Sequence, residues 1–405
     1  MRVQCGMANR YQTIVIGLGA MGSAAAYQLA KRGNKTLGIE QLSPPHVHGS
    51  SHGDTRITRQ AIGEGEEYVP LVLRSYEIWE EIERETSKQI LTVTGGLILS
   101  GVEGVMRHGS PFFNQTVACA EKFGIAHHLL AADEIRRQFP QFRLRGNEKG
   151  YFEEKAGYLR PELAVQAQLE LARRYGAELA LEEKALSFDV TPDGTVRVKT
   201  ERGEYEAEKA ILSVGPWITQ LLGEEYRNYF TIYRQVLYWF DVEGPITRFE
   251  APNFPIWIWE FGTAVEDLMY GFPAIDGAGG GIKVAFEQYV TPTHPGAVPR
   301  EVSGQEIKAM YRHYIQPYFA EVTERCVKAV TCLYTVTPDH RFVIDWHPEF
   351  SNVILASPCS GHGFKHSAAI GEVLAQLAIR GQSEIDIRPF SFERFTRRNR
   401  SDFCS

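Results

Sequence analysis

The sequence predicts an α/β fold: a dinucleotide-binding, Rossmann-like domain with an interleaved α+β domain built on a mostly antiparallel sheet. Three observations predict it. Near the start, Ile14-Val15-Ile16 runs as a strand into Gly17-Leu18-Gly19-Ala20-Met21-Gly22, and an Ala-rich helical run, Ser23 to Ala30, follows at once. From Tyr229 to Phe286, strand-like runs crowded with aromatics follow one another (Tyr233, Tyr238, Trp239, Trp257, Trp259, Phe261), as in an antiparallel sheet. Near the end, a second glycine-flanked strand-to-helix turn, Gly361-x-Gly363, returns the chain to the first domain. No repeat or low-complexity linker separates the two domains. The expected division is therefore discontinuous: 10–90, 150–225 and 328–405 in the nucleotide domain, 91–149 and 226–327 in the other. A chain of 405 residues exceeds one ordinary core, as this division requires.

The opening unit has the order that a dinucleotide pyrophosphate needs. Gly17 permits the tight turn, Gly19 lets the backbone approach the phosphates, and Gly22 lets helix and strand pack closely. The helix N-terminus, with Ala20 and Met21 in its first turn, offers N–H groups and a partial positive charge to the anion. Gly33 closes the helix, Thr36 to Ile39 reads as the second strand, and Glu40 stands at its end. A carboxylate there accepts hydrogen bonds from ribose hydroxyls and repels a 2′-phosphate, which favours FAD or NAD over NADP.

A loop rich in His, Gly and Ser follows (Pro44 to Gly65), then a helix from about Tyr68 to Thr86. Asp133 is the expected cap of a short helix ending near Phe139; Pro161 opens a longer one that Gly176 terminates. Thr191-Pro192-Asp193-Gly194 marks a hairpin, and Lys209 to Ser213 reads as a buried strand ending at Gly215-Pro216-Trp217. Ser303-x-x-Glu306 is a capping box opening a helix to Tyr318. Short buried strands, Phe342 to Asp345 and Val353 to Ala356, then lead to a helix from Lys365 to Arg380.

Composition narrows the function. A formal net charge of −7 argues against a nucleic-acid surface, and the basic tail Arg394 to Arg400 reads as a solvated C-terminal helix. No apolar run approaches the roughly 20 residues needed to span a bilayer, so no membrane association is expected. Met1 to Arg10 has no apolar h-region, Cys5 is not expected to carry a lipid, Met7 offers a second start, and this stretch is expected to be loose. Cysteines 5, 119, 326, 332, 359 and 404 form no CxxC pair, which fits a reducing cytoplasm rather than a disulfide framework or a zinc site. His46, His48 and His52 lack a carboxylate or thiolate partner at ligand spacing, so no metal is expected.

Four polar clusters remain. Arg56 and Arg59, three apart, would share a side if they stood on one helical turn; otherwise they read as surface salt-bridging arginines. Lys283 interrupts the apolar strand Gly281 to Phe286, and is either edge-exposed or functional. Cys332, in an apolar strand-like run, reads on its own as inert core. Gly361, His362, Gly363, Phe364 and Lys365 stand at a strand-to-helix junction whose N–H groups can stabilise negative charge.

These clusters resemble one family throughout. Gly49-Ser50-Ser51-His52-Gly53-Asp54-Thr55-Arg56-Ile57-Thr58-Arg59, followed by Gly63-Glu64-Gly65, is similar to the matching segment of the monomeric sarcosine oxidase family, which includes N-methyltryptophan and pipecolate oxidases. The resemblance resumes at Tyr270-Gly271-Phe272-Pro273, Gly281-Ile282-Lys283 and Cys332-Leu333-Tyr334-Thr335. It closes with Asp345-x-His347-Pro348 and Ser360-Gly361-His362-Gly363-Phe364-Lys365.

The resemblance implies a glutathione-reductase-like FAD domain beside the substrate domain, and oxidation of secondary amines of amino acids by oxygen to imine and hydrogen peroxide. It implies that Cys332 carries the FAD through an 8α-S-cysteinyl bond, Cys359 being a competitor that the family lacks. His52 would assist attachment, Ser51 and Thr55 would lie at the cofactor, and Arg56 would pack on the flavin face. Arg59 and Lys365 would hold the substrate carboxylate, suited to it by their permanent or readily held charge. Lys283 would lie over the flavin near N5 and promote reaction with oxygen, while Tyr270 and Tyr334 would line the substrate cavity. Relatives are often monomeric, so a monomer is expected, with a dimer as the alternative.

The chain departs from the pattern in three places. Glu287 stands where sarcosine-type members carry a histidine; Asp276 to Gly281 is longer and richer in glycine; Ser357-Pro358-Cys359 replaces Gly-Phe. Fructosyl-amine oxidases, within the broader group, place an acidic residue at the first position. A fructosyl-amino-acid oxidase is therefore the alternative substrate reading, and a flavin dehydrogenase or a non-catalytic nucleotide-binding module the alternatives in other classes.

Overall fold

The computed structural model describes residues 10–395 apart from 103–105, 108–109, 147 and 265, so Cys5, Met7, Cys404 and the basic tail beyond Phe395 lie outside the described residues. Two eight-stranded sheets are interleaved along the chain. In the first, Arg10–Ile16 lies parallel to both Glu204–Leu212 and Thr36–Ile39. Glu178–Ala180 extends one side in parallel, and Val353–Ser357 pairs parallel with Glu204–Leu212 on the other. Only the hairpin Ala185–Val190/Val196–Thr200 and the terminal strand Val343–Trp346 join antiparallel. Helices Ala20–Lys31, Val69–Thr86, Pro161–Arg174 and Ser367–Arg380 cover this sheet, and a Cβ on Gly371 would fall 2.4 Å from that of Ala24, so two of them nearly touch.

Gly17 and Gly22 account for the tight opening turn. Gly17 has φ +86°, and a Cβ there would stand 2.7 Å from the Ser213 carbonyl oxygen; on Gly22 it would stand 1.7 Å from the Gly17 carbonyl oxygen. No side chain fits at either place.

The second sheet runs from Val322–Val336 through Thr231–Val242, Ile282–Phe286, Leu268–Phe272 and Ile256–Glu260 to Gly96–Ser100, Lys149–Glu153 and His128–Leu130. Every pairing is antiparallel except Ile256–Glu260 with Gly96–Ser100, so the fold class expected from the sequence holds. The aromatics of this segment are chiefly core: Trp257, Trp259, Phe249 and Phe254 are fully buried, with Phe142 stacked on Phe254 at 5.1 Å. The expected borders at 149/150 and 327/328 fall inside Lys149–Glu153 and Val322–Val336, continuous strands of this sheet. A small sheet, Arg56–Thr58 with Gly157–Leu159 and Leu91–Val93, sits beside both large ones.

Two local readings are corrected. Arg56–Thr58 is a strand, so the three-residue spacing of Arg56 and Arg59 runs along extended chain, not around a helical turn. The short helix is Ala132–Gln138, with Ala131 rather than Asp133 at its cap; the Glu134 carboxylate accepts the Ala131 N–H at 2.8 Å, while Asp133 pairs with Arg136 in the first turn. The Ser303/Glu306 capping box forms as expected, its helix passing at Tyr311 into a π-helical turn that ends at Ile315, short of Tyr318. Among the described residues no helix is long and apolar enough to cross a membrane, and no group of metal-ligating side chains forms.

Candidate functional site

A long cleft, partly open to solvent, runs over the glycine turn. Gly17, Gly19, Ala20, Met21 and Glu40 line one end, Ser51 the middle, and Arg56, Tyr334, Gly361, Gly363 and Phe364 the other. Gly22 lies beneath, against the Gly17 carbonyl. Glu40 is fixed by two backbone donors, Leu18 N–H to Oε2 at 2.8 Å and Leu42 N–H to Oε1 at 3.2 Å. The Ser51 hydroxyl accepts the Ala20 N–H at 3.1 Å, at the helix N-terminus. These residues fit a dinucleotide: bare glycine backbone at a helix N-terminus for the phosphates, a carboxylate for a ribose, and a wider polar end for a ring. Buried polar atoms at that end, Ser50 Oγ and His52 Nε2, have no hydrogen-bond partner among the described residues.

A second cavity adjoins the first and shares Arg56, Tyr334, Gly361 and Phe364 with it. Thr55, Arg59, Glu64, Tyr270, Glu287, His362 and Lys365 complete its polar lining; Phe112, Ile258, Leu268 and Phe272 make its apolar wall. Arg59 is only 2% exposed, donates to Glu64 Oε2 at 2.7 Å, and lies over the Phe112 ring. Lys365 donates to the His362 carbonyl at 2.8 Å and reaches Glu64 Oε1 at 3.4 Å. Burial pushes the Lys365 ammonium down to about 8, with Glu64 opposing the shift. Glu64 thus bridges two buried cations with one carboxylate.

Opposite them, Glu287 Oε2 accepts the Tyr289 hydroxyl at 2.7 Å. The Tyr270 and Tyr334 hydroxyls lie 3.2 Å apart; burial raises both phenols, Tyr270 to about 12, so they are neutral donors and acceptors. His362 sits on the Phe342 ring with Nε2 3.3 Å from the His340 carbonyl oxygen.

Three expected site residues, Cys332, His52 and Lys283, line neither cavity but lie behind the ring end, next to Arg56. Arg56 donates to the Thr55 and Ser50 carbonyls at 2.8 and 2.9 Å, and its Nη2 stands 3.4 Å from Cys332 Sγ. That thiol is buried and lies 3.6 Å from the Ser50 carbonyl oxygen. His52 is held neutral: burial, then the Arg56 charge, pushes its imidazole down to about 3. Lys283 is fully enclosed, its Nζ donating to Gly53 O (2.7 Å), Thr55 O (2.8 Å) and Thr55 Oγ1 (3.1 Å) above the Phe272 ring. Burial and the Arg56 charge push it well below the ordinary lysine range. Sequence reasoning missed Glu64 and Tyr289 as site residues; Glu64 entered only as part of the loop Pro44 to Gly65 and of the resembling segment, and nothing near Tyr289 marked it.

Comparisons with known proteins identify the family. The profile of the FAD-dependent oxidoreductase family matches residues 12–377. Monomeric sarcosine oxidase of Streptomyces avermitilis is 42% identical over 376 residues, covering 93% of this chain and 95% of that one. N-methyl-L-tryptophan oxidase of Escherichia coli K12 is 34% identical over 393 residues, 95% and 100% of the two chains. In fold, the chain is similar to the open form of NikD, an unusual amino acid oxidase of nikkomycin biosynthesis, with a TM-score of 0.78 at 24% identity over 94% of this chain and 97% of that one. The chain belongs to the FAD-dependent oxidoreductase family, among the relatives of monomeric sarcosine oxidase.

Proposed function

We propose that this chain oxidises secondary amines of amino acids, of the sarcosine and N-methyl amino acid kind, to the imine, with oxygen as acceptor and hydrogen peroxide as second product. The observation that carries the reading is the pair of buried cations, Arg59 and Lys365, bridged by Glu64 in a cavity that opens on the dinucleotide cleft. A substrate carboxylate entering here meets two cations that the fold has already buried and oriented, which suits charge-assisted bidentate binding.

FAD, when bound, would supply the acceptor for a hydride equivalent and the route of its electrons to oxygen. Gly17, Gly19, Ala20, Met21 and Gly22 would hold its pyrophosphate and Glu40 a ribose. Ser51, Thr55, Gly361, Gly363 and Phe364 would line the rest of its seat. Cys332, with His52 and Arg56 beside it, would carry the 8α thioether. Arg59 and Lys365 orient the acid end, and Tyr270, Tyr334 and the apolar wall set the remainder, which supplies rate through proximity. Lys283 is the buried cation assigned to the oxygen reaction, and His362 supports Lys365 through its carbonyl. The unbridged thiols Cys119, Cys326, Cys332 and Cys359 support a reducing cytoplasm, and we take the working form as a monomer.

A peroxide-release screen across N-methyl amino acids, cyclic imino acids and fructosyl amino acids tests the reaction. Bleaching under anaerobic conditions that air does not reverse would point to a dehydrogenase. Glu287 favours a second reading. A carboxylate in the cavity wall, steadied by Tyr289, suits a cationic or hydroxyl-bearing arm such as that of a fructosyl amino acid. Glu287→Gln should then raise KM about tenfold for such a substrate and leave that for sarcosine within about twofold, since a hydrogen bond to a charged group is worth roughly 1.5 kcal/mol. Equal effects on both would exclude this arm.

A further inference from the structure

Glu162, the second residue of helix Pro161–Arg174, points its carboxylate at the loop beneath the ring end of the cleft. Its Oε1 accepts two successive backbone N–H groups, Gly53 at 2.6 Å and Asp54 at 3.2 Å. That loop is not self-supporting. Gly53 has φ +100° and Asp54 φ +68°, and a left-handed aspartate is strained unless its surroundings hold it. Thr55 N–H closes the turn on the Gly53 carbonyl at 2.8 Å, and the Asp54 side chain meets Lys328 Nζ at 2.5 Å.

The same few residues supply all three acceptors of the Lys283 ammonium: Gly53 O, Thr55 O and Thr55 Oγ1. Thr55 O also accepts Arg56 Nη1. One carboxylate on one side of the loop therefore fixes, on the other side, the carbonyls that aim a buried lysine. Its negative charge also opposes the mutual repulsion of Arg56 and Lys283. We infer that Glu162 is a positioning residue for Lys283, clamping the Gly53–Asp54 turn so that the ammonium is held beside the ring end of the cleft. The inference rests on the proposed role of Lys283 in the oxygen reaction.

Glu162→Ala removes the clamp, while Glu162→Gln keeps an oxygen that can accept both N–H groups. In the holoenzyme, we measure amide exchange of the 50–56 segment, acetylation of Lys283 in a short anhydride pulse, and separately the rates of anaerobic reduction by substrate and of reoxidation by oxygen. Glu162→Ala should speed both exchange and Lys283 acetylation about tenfold and slow reoxidation about tenfold, as loss of a charge-assisted bond pair predicts, with reduction changed less than about threefold. Glu162→Gln should restore most of each. If Glu162→Ala is too unstable to purify, Glu162→Asp, which withdraws the carboxylate by one methylene, should show the same pattern with smaller effects. Unchanged exchange and acetylation in the alanine variant would overturn the inference whatever the rates. So would equal losses in both half-reactions with no recovery in Glu162→Gln, which is the pattern of general damage. If Lys283→Met reoxidises at the normal rate while Lys283 acetylation still rises in Glu162→Ala, the clamp is supported and the oxygen role of Lys283 is what fails.

Discussion

Arg59 and Lys365 reach the second cavity from chain segments about 300 residues apart and meet on one carboxylate, Glu64. Lys365 carries a pH consequence. It must be charged to hold an acid, and burial has brought it to about 8, so kcat/KM should fall as pH rises through that point. An initial-rate profile flat across it would mean that Arg59 alone does the holding. Arg59→Met should cost about 100-fold in kcat/KM, or ~2.7 kcal/mol, the worth of a charge-assisted bidentate contact. It should also lower Tm, because Glu64 loses its nearest counter-charge in a buried setting. Steady-state kinetics beside a melting curve checks both. At this scale the sequence was informative where a residue type is costly to bury. A lysine in an apolar strand and an arginine pair beside glycines stood out. Glu64 did not, because its meaning comes from partners that are remote along the chain.

The glycine turn and its helix give the clearest test among the elements. A methyl at Gly22 would overlap the Gly17 carbonyl, whereas at Gly19 it would stand 3.4 Å from Ser51 Oγ, an ordinary contact. Gly22→Ala should therefore destabilise the protein itself by about 3 kcal/mol or more. Gly19→Ala should fold with near-normal secondary structure and melting in the flavin-free state, yet retain little flavin. The ratio of flavin to protein absorbance separates the two, and equal flavin contents would contradict the assigned phosphate seat. Helices and strands with strong periodicity or caps were legible: the opening unit, Pro161 with Gly176, the hairpin after Val190, and the Ser303 cap. Arg56–Thr58 was not. Three residues are too few for alternation to show, and what makes them a strand is the distant Gly157–Leu159. Asp133 misled because a cap is defined by where extended backbone ends, which lay two residues earlier.

The whole molecule is two sheets threaded through one another, and the chain crosses between them several times. Interleaving itself was legible, since the glycine-flanked turns at both ends had to belong together. The borders were not, because Val322–Val336 is a single long strand whose continuous buried run, Thr331 to Val336, lies at one end. That strand brings Tyr334 from the second sheet into a cleft founded on the first, and sets Cys332 behind its ring end. A thioether at Cys332 would tie the cofactor to both halves. Cys332→Ser should then keep FAD in the native protein, release its colour into the supernatant on acid precipitation, and lower the holoenzyme Tm by several degrees as binding becomes a concentration-dependent equilibrium. Colour retained in the pellet would move the attachment to another residue, with Cys359 the first to examine.

Glu64 has one more consequence, for inhibition. In the proposed substrate mode, a free acid entering the cavity would compete with a carboxylate that the chain carries with it, and a tethered competitor acts at a high effective concentration. Formate, acetate and buffer anions bring a head group and little else, so they should be feeble inhibitors. An acid whose body also covers Tyr270, Tyr334 and Phe112 has further affinity with which to displace the resident. The enzyme would then tell a whole amino acid from its fragments through the occupancy of a single seat.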